Sequence, residues 1–260
     1  MRLRQLTINK QTEMLDLNRI YNIDVLDGLR ALDDESIDMI ITSPPYNKAG
    51  LNGKCKGVRW NNTIDYGGDI NIDNKPEDEY QEWQLNILKE CHRVLKKDGL
   101  MFYNHKNRIV KGKGYIITPY TWLLKSPFLI RQEIIWNRKN GPNLEQSRYI
   151  PAYENIYVLA KQKDTLFKRN KDIEHKTDIW TISPGRKKKH PAPFPIDIPR
   201  NILSSLNADK IKDRNIVVLD PFMGSGTTAK AAIEKGYDYI GFDIVKEYVD
   251  DVNNFIAEKA

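Results

Sequence analysis

The chain has 260 residues, of which 40% are hydrophobic and 29% charged, so it can bury a sizeable core and is not globally disordered. Its net charge of +6 fits a polyanionic partner without establishing one. The absence of a long apolar run, of a secretory signal and of a disulfide framework (Cys55 and Cys91 are the two cysteines) predicts a cytoplasmic protein.

Short apolar runs alternate with amphipathic stretches, a pattern typical of parallel strands joined by helices in one α/β domain over residues 1–260. In chain order, the predicted strands are Ile37–Thr42, Leu100–Tyr103, Arg131–Trp136, Glu154–Ala160, Ile216–Asp220 and Tyr239–Asp243. The predicted helices are Pro76–Lys96 (ended by Lys97-Asp98-Gly99), Asn201–Leu206 and Thr227–Lys235. Asn47–Lys75 and Lys161–Pro195 do not fit this pattern, and we interpret both as long loops with a functional role.

A glycine-containing segment follows one strand near the carboxyl end. The strand ends at Asp220, and Pro221-Phe222-Met223-Gly224-Ser225-Gly226 leads into the next helix. The glycines permit a tight turn and a close approach of the backbone to a ligand. Asp243 ends the following strand, where an acidic residue can bind ribose hydroxyls. The arrangement predicts a nucleoside site; an ordinary strand-to-helix turn and an NAD site are the alternatives.

Ser43-Pro44-Pro45-Tyr46 lies just beyond the first predicted strand. The prolines fix the backbone angle φ and remove amide donors, which leaves carbonyl oxygens as pure acceptors. Ser43 adds a hydroxyl acceptor and Tyr46 a flat ring, so the segment suits an amino group on a planar base. Holding the amino hydrogens directs the nitrogen lone pair at a methyl donor. A proline-rich turn with a packing tyrosine is the alternative interpretation.

The two segments together resemble the amino-methyltransferases of DNA restriction–modification systems. That family has an Asp/Asn/Ser-Pro-Pro-Tyr/Phe/Trp catalytic motif and a Phe-x-Gly-x-Gly cofactor motif, which match Ser43 to Tyr46 and Phe222 to Gly226. The order of the motifs matches the β group, and the resemblance runs from about Tyr21 to the carboxyl terminus. It implies a Rossmann-like S-adenosylmethionine-dependent methyltransferase fold, circularly permuted, with a mostly parallel sheet and helices on both faces.

The resemblance also implies roles for individual residues. The target base is expected to be held by Ser43, Pro44, Pro45 and Tyr46. The cofactor, S-adenosyl-L-methionine, is expected to contact Asp24, Asp220, Pro221, Phe222, Phe194, Gly224, Gly226, Thr227 and Asp243. Within that set Asp243 faces the ribose and Asp24 the adenine amino group, although Asp24 equally suits the N-cap of a helix over Val25–Leu32. Apart from the resemblance, Asn104-His105-Lys106 follows the strand that ends at Tyr103, at the same sheet edge, and has either a pocket or backbone role or a place in an exposed loop. No metal site is predicted.

The implied partner is double-stranded DNA. Residues 47–75 are expected to form a DNA-facing loop and residues 161–190 a short target-recognition segment. The predicted DNA contacts are Lys48, Lys54, Arg59, Trp60, Arg186, Lys187, Lys188 and Lys189. For the run from Arg186 to Lys189, phosphate contact and a solvated charge cluster are both open. A homodimer and a cognate restriction endonuclease are further partners that the resemblance implies.

The predicted reaction is direct transfer of the sulfonium methyl group to an exocyclic nitrogen of a flipped base. Neither cysteine adjoins a Pro-Cys motif, so carbon-5 methylation, which needs a cysteine nucleophile, is disfavoured. By resemblance, Ser43 favours cytosine N4 and Asn47 favours adenine N6, and we expect N4-cytosine with N6-adenine open. An NAD-type oxidoreductase and an amino-methyltransferase acting on RNA or protein are the alternative functions.

Overall fold

The computed structural model describes residues 15–47, 75–110, 115–139, 141, 149–169, 171, 173–184 and 195–258. The strands in this part of the chain are β1 Arg19–Asn22, β2 Ile37–Thr42, β3 Leu95–His105, β4 Arg108–Ile109, β5 Ile116–Ile117, β6 Leu129–Asn137, β7 Tyr153–Ala160, β8 Ile179–Thr181, β9 Val217–Asp220 and β10 Asp238–Asp243. The helices are α1 Val25–Arg30, α2 Glu77–Val94, α3 Tyr120–Leu123, α4 Asp197–Ser204, α5 Ala208–Ile211, α6 Thr227–Glu234 and α7 Lys246–Ala257.

The main sheet has eight strands in the order β1-β10-β9-β2-β3-β7-β6-β8, and β4 pairs separately with β5. The five strands from β1 to β3 in this order are mutually parallel. β7 is antiparallel to both of its neighbours, and β8 runs parallel to β6. Parallel neighbours need a crossover connection, and helices supply it. The mostly parallel sheet confirms the predicted fold class.

Hydrophobic clusters cover both faces of the sheet, which is why all six residues of β2 are buried. Met39 and Ile41 of this strand belong to the cluster that includes residues of α4, α6 and α7. Ile40 points the other way and belongs to the cluster that includes residues of α1 and α2. The strand is mostly apolar and ends just before Ser43-Pro44-Pro45, so its bounds could be predicted without error, although it also buries the charged side chain of Asp38.

The first long helix ends earlier than its pattern predicts. The periodicity favours a helix over Pro76–Lys96 that stops at Lys97-Asp98-Gly99, but α2 ends at Val94. Leu95 already has extended backbone angles, φ −71° and ψ 135°, and pairs with β2. Gly99 lies within β3, where a Cβ atom would come 2.7 Å from the carbonyl oxygen of Asp38. This glycine permits the close approach of two strands and does not end a helix.

The described part of Lys161–Pro195 is largely loop, as predicted, but it contains one short strand that the prediction missed. This part contributes β8 to the edge of the sheet. It also buries Leu166, Ile173 and Trp180, each less than 5% exposed. The helix expected over Asn201–Leu206 is present as α4 but starts four residues earlier, at Asp197. The segment is polar in composition and its buried apolar residues are widely spaced, so its sequence did not indicate a strand.

Five parallel strands end at one edge of the sheet, and the predicted site residues follow those ends. Asn22 of β1 pairs with Asp243 of β10, and Asp220 of β9 pairs with Gly241. Thr42 of β2 pairs with β3, which ends at His105. In open α/β sheets ligands bind at this carboxyl edge.

No helix within the described residues is long and apolar enough to cross a membrane.

Candidate active site

The predicted catalytic motif leaves the carboxyl end of β2. Ser43 is partly exposed, and Pro44 and Tyr46 are buried. The hydroxyl oxygens of Ser43 and Tyr46 lie 2.9 Å apart. Burial, and after it the nearby carboxylate of Glu154, hold the pKa of the Tyr46 hydroxyl well above its ordinary value. Tyr46 is therefore a protonated hydrogen-bond donor rather than a phenolate.

Two residues from other strands complete this cluster. Asn104 of β3 donates through Nδ2 to the Tyr46 hydroxyl at 2.8 Å and to the Ser43 hydroxyl at 3.3 Å. Glu154 of β7 accepts the Tyr46 hydroxyl proton at 2.9 Å and forms an ion pair with Arg138 at 2.7 Å. Asn104 is 2% exposed and Glu154 7%, so the interpretation of the Asn104 segment as an exposed loop is wrong. A carboxylate at the start of a strand of apolar residues was the available signal for Glu154.

A second group of polar side chains, from α2 and β3, forms hydrogen bonds next to the catalytic motif. Tyr80 of α2 donates to the carbonyl oxygen of Pro45 at 2.6 Å, and Gln84 donates to the Tyr80 hydroxyl at 3.0 Å. His105, which is fully buried, lies 2.8 Å from the same hydroxyl. Its ring centroid is 4.6 Å from that of Tyr46. The Tyr46 ring is thereby held between fixed neighbours, as a stacking platform requires.

Asp220, which ends β9 just before the predicted cofactor motif, is bonded to Thr42, the residue that precedes the catalytic motif. Asp220 Oδ1 accepts from the Thr42 hydroxyl at 2.8 Å and from the amide of Phe222 at 3.0 Å. Its Oδ2 accepts from the Thr228 hydroxyl at 2.7 Å. Burial raises the pKa of Asp220 to about 6. With no exposed surface, this carboxyl group joins β2, β9 and the start of α6.

The loop from Pro221 to Gly226, called the glycine loop below, contacts the end of β10. The amide of Gly224 donates to Asp243 Oδ2 at 2.8 Å, and Asp243 Oδ1 accepts the amide of Val245 at 2.9 Å. Burial raises the pKa of Asp243. Gly224 and Gly226 have φ angles of 51° and 74°, in the left-handed region that favours glycine. A Cβ atom on Gly226 would come 2.3 Å from Val252 Cγ1, so this glycine also permits α7 to pack against the loop.

Phe222 lies at the carboxyl edge of the sheet and is partly exposed. Its ring centroid lies 5.7 Å from that of Trp83 of α2. Trp83 is a neighbour that the sequence motifs did not indicate. Pro221 is buried, and Thr227, the first residue of α6, is partly buried with its hydroxyl 3.3 Å from that of Ser225.

Asp24 lies at the end of β1 and caps α1. Its Oδ1 accepts the amide of Leu26 at 2.9 Å, which confirms the predicted N-cap. The helix is shorter than expected and ends at Arg30 rather than Leu32. Asp24 is exposed, so capping leaves its carboxylate accessible from solvent. The cap and the predicted cofactor contact are therefore compatible.

Several predicted contacts lie outside the described residues. They are Lys48, Lys54, Arg59, Trp60, Arg186, Lys187, Lys188, Lys189 and Phe194. Cys91 is a free thiol on the buried face of α2, where burial raises its pKa, so it is not a nucleophile. No cluster of three or more metal-ligating side chains occurs in the described part of the chain.

A mostly parallel sheet with an acceptor-rich turn and a glycine loop at its carboxyl edge is the arrangement in which α/β enzymes bind a nucleotide or nucleoside. The model of a family described as DNA methylase matches residues 37–254. The Type II methyltransferase M.HinfI of Haemophilus influenzae is 31% identical over 94% of this chain and 68% of its own length. The Type II methyltransferase M.BglII of Bacillus subtilis is 28% identical over 90% of this chain and 67% of its own.

Among solved structures, the cytosine-N4-specific PvuII DNA methyltransferase superposes with a TM-score of 0.69. It is 20% identical, and the match covers 92% of this chain and 89% of that one, which shows a shared fold. The family match over most of the chain shows more: this protein belongs to the S-adenosylmethionine-dependent amino-methyltransferases of DNA. It is an enzyme of the β group of the restriction–modification type, which methylates an exocyclic amino group of a DNA base.

Proposed function

We propose that Ser43 and the carbonyl oxygen of Pro44 hold the exocyclic amino group of a flipped base, which stacks on Tyr46. The observation that carries this proposal is the cluster of Ser43, Tyr46 and Asn104 at the end of β2, with hydroxyl oxygens 2.9 Å apart. Acceptors around an amino group hold both of its hydrogens and direct the nitrogen lone pair outward. Orientation of this kind removes much of the barrier to a two-reactant step.

The residues at the ends of β1, β9 and β10 fit S-adenosylmethionine. Each oxygen of Asp243 accepts one backbone amide, which leaves further lone pairs for ribose hydroxyls. Asp24 follows the adjacent strand and suits the adenine amino group. Phe222 and Trp83 are both partly exposed and supply an apolar wall. When bound, the cofactor supplies the electrophilic methyl group.

Asp220 has a different part in this proposal from the one its motif implies. Its carboxyl group is fully buried and is bonded to Thr42, Thr228 and the amide of Phe222. We therefore assign it a positioning role: it fixes the distance between the cofactor loop and the catalytic motif. Pro221, Gly224, Gly226 and Thr227 shape the same loop.

We propose cytosine N4 as the methylated atom. Ser43 favours cytosine by resemblance, and Asn47 was the residue that favoured adenine. The Asn47 side chain is fully buried, donates to the carbonyl oxygen of Lys75 at 2.9 Å and accepts its amide at 2.8 Å. Both ends of the amide are used to bring residues 47 and 75 together, so Asn47 has a structural task that does not involve the base.

DNA contacts are proposed for residues 47–75 and 161–190, through the lysine and arginine side chains named above. The described part of the second segment packs on the sheet through Trp180, so only its surface can reach DNA. A homodimer, a cognate restriction endonuclease and a cytoplasmic location complete the proposal. Light scattering of the purified chain with and without duplex DNA tests the dimer.

Methyl transfer from labelled S-adenosylmethionine tests the proposed site. We expect incorporation into duplex DNA but not into RNA or protein, and a loss of at least about 100-fold in Ser43→Ala. Full activity of Ser43→Ala would refute the catalytic assignment. Thermal shift separates the cofactors: S-adenosylhomocysteine is expected to raise the melting temperature and NAD is not.

A further inference from the structure

The catalytic cluster contains a buried carboxylate that the motifs did not include. Glu154, the second residue of β7, accepts three donors: Arg138 at 2.7 Å on Oε1, and the Tyr46 hydroxyl and Asn104 Nδ2 at 2.9 and 3.2 Å on Oε2. An ionised carboxylate accepts hydrogen bonds and cannot donate them. It therefore imposes a direction on every polar group that contacts it.

We propose that Glu154 is a positioning residue that sets the direction of the hydrogen bonds in the catalytic motif, so that Ser43 acts as an acceptor toward the target amino group. This inference rests on the proposed role of Ser43. It assigns to β7, at the far side of β3, a part in the reaction that lies outside both sequence motifs.

The Tyr46 hydroxyl has a single proton, and Glu154 accepts it. The Tyr46 oxygen can then only accept from Ser43, which lies 2.9 Å away. The Ser43 proton is thus committed to Tyr46. Even with the 3.3 Å bond from Asn104, Ser43 Oγ keeps a lone pair for an amino hydrogen. Without an acceptor at residue 154, Tyr46 could donate to Ser43 and leave the Ser43 proton facing the amino group.

Glu154 also fixes the orientation of Asn104. Only the Nδ2 end of that amide can face a carboxylate oxygen, because an amide oxygen there would be repelled. Oδ1 is consequently left buried with no hydrogen-bond partner in the described part of the chain. A buried acceptor without a partner costs about 1–3 kcal/mol. The orientation that the carboxylate imposes on Asn104 therefore has a cost in stability.

Arg138 lowers the free-energy cost of burying the Glu154 carboxylate. It pairs with the oxygen of Glu154 that Tyr46 and Asn104 do not use. A buried carboxylate that is paired with a guanidinium is less costly than an unpaired one, and a carboxylate is purely an acceptor.

The test is a double-mutant cycle on DNA methylation, with Glu154→Gln, Tyr46→Phe and the double variant. Gln keeps the shape but presents an amide that can donate to Tyr46. We expect a fall in kcat of about 10- to 100-fold in each single variant, with the KM for DNA and the Kd for S-adenosylhomocysteine within about twofold. In the Tyr46→Phe background, Glu154→Gln should add less than about threefold, because the hydroxyl through which it acts is absent.

The matched control is Glu133→Gln. Glu133 lies on the neighbouring strand β6 and accepts a tyrosine hydroxyl, that of Tyr120, at 3.1 Å, away from the motif. Its kcat should stay within about twofold of the parent. If Glu154→Gln fails to fold because Arg138 is left unpaired, Glu154→Gln/Arg138→Gln removes both charges together and should show the same loss of kcat.

An unchanged kcat in Glu154→Gln, or effects of Glu154→Gln and Tyr46→Phe that multiply, would overturn the inference. Ser43→Ala is measured beside them. Full activity of Ser43→Ala defeats the proposed site itself, whereas an inactive Ser43→Ala with a fully active Glu154→Gln defeats only the role of Glu154.

Discussion

The Thr42 hydroxyl donates to Asp220 Oδ1 at 2.8 Å, so the residue before the catalytic motif is bonded to the strand end that leads into the cofactor motif. The two residues are 178 positions apart in the chain and lie at the ends of adjacent strands, β2 and β9. Methyl transfer needs donor and acceptor in line. This hydrogen bond is a direct link through which one segment can set the position of the other.

Thr42→Val should lower kcat for methyl transfer by about 10-fold or more, because it removes this link while keeping the side-chain shape. It leaves Asp220 with one donor fewer in a buried position, at a cost to the free energy of unfolding of about 1–3 kcal/mol. Steady-state kinetics and urea denaturation measure the two effects. Thr121→Val, at an exposed threonine that donates to the Thr118 carbonyl, is the control and should change neither. A wild-type kcat in Thr42→Val would show that the link has no kinetic role.

The pKa of Asp220 is raised to about 6 by burial, and this has a consequence for stability. Between pH 4 and about pH 6 the native state keeps a proton that the unfolded state has released. This contribution to the free energy of unfolding is therefore full below about pH 4, declines as pH rises through that window and is absent above it. Its upper bound is about 3 kcal/mol, since one pKa unit corresponds to about 1.4 kcal/mol.

Urea denaturation from pH 4 to pH 7.5 tests this, with Asp220→Asn as the reference that lacks the titrating group. The difference in free energy of unfolding between the parent and Asp220→Asn should shift in favour of Asp220→Asn as pH rises from about 4 to about 6. Asp243, whose pKa burial also raises, contributes in the same direction in both proteins, so the difference reports mainly on Asp220. A pH-independent difference would contradict the raised pKa of Asp220.

Gly226→Ala should destabilise the protein more than Gly236→Ala. Both glycines have similar positive φ angles, 74° and 69°. A Cβ atom on Gly226 meets Val252 Cγ1 at 2.3 Å, whereas one on Gly236 meets nothing within 4 Å. We expect about 1 kcal/mol for Gly236→Ala from backbone strain alone, and at least about 2 kcal/mol for Gly226→Ala. Gly226→Ala/Val252→Ala should recover part of the loss in thermal melts. Equal melting temperatures of the two single variants would argue against the packing role.

Phe222→Ala should weaken S-adenosylhomocysteine binding by about 10-fold, because it removes the partly exposed ring of the proposed cofactor wall. Isothermal titration calorimetry measures the Kd. Phe167→Ala is the control: Phe167 is also partly buried, but it packs on the opposite face of the sheet and should leave the Kd unchanged. Equal affinities for the parent and Phe222→Ala would remove Phe222 from the cofactor site.

Much of this site could be predicted because its residues are sequential. Ser43 to Tyr46 and Asp220 to Gly226 are continuous segments at strand ends. β2 was predicted to the residue because it is mostly apolar and ends at the Ser43-Pro44-Pro45 turn. Glu154 and Trp83 could not be predicted, since only the strand order β3-β7 and the packing of α2 bring them to the motifs.

The failures have equally local causes. The end of α2 was misplaced because Gly99 looks like a helix stop and in fact accommodates the backbone of Asp38. The strand β8 was missed because the segment around Trp180 is polar in composition while a few of its side chains are buried. Asp220 was expected to line the cofactor, and only the structure reveals that its carboxyl group is enclosed between Thr42 and Thr228.

The most direct test of the account is nucleoside mass spectrometry of DNA incubated with S-adenosylmethionine and either the parent protein or Ser43→Ala. We expect N4-methyldeoxycytidine with the parent and at least about 100-fold less of it with Ser43→Ala. N6-methyldeoxyadenosine would contradict the assignment of the base. The same yield of either product from Ser43→Ala would contradict the catalytic site itself.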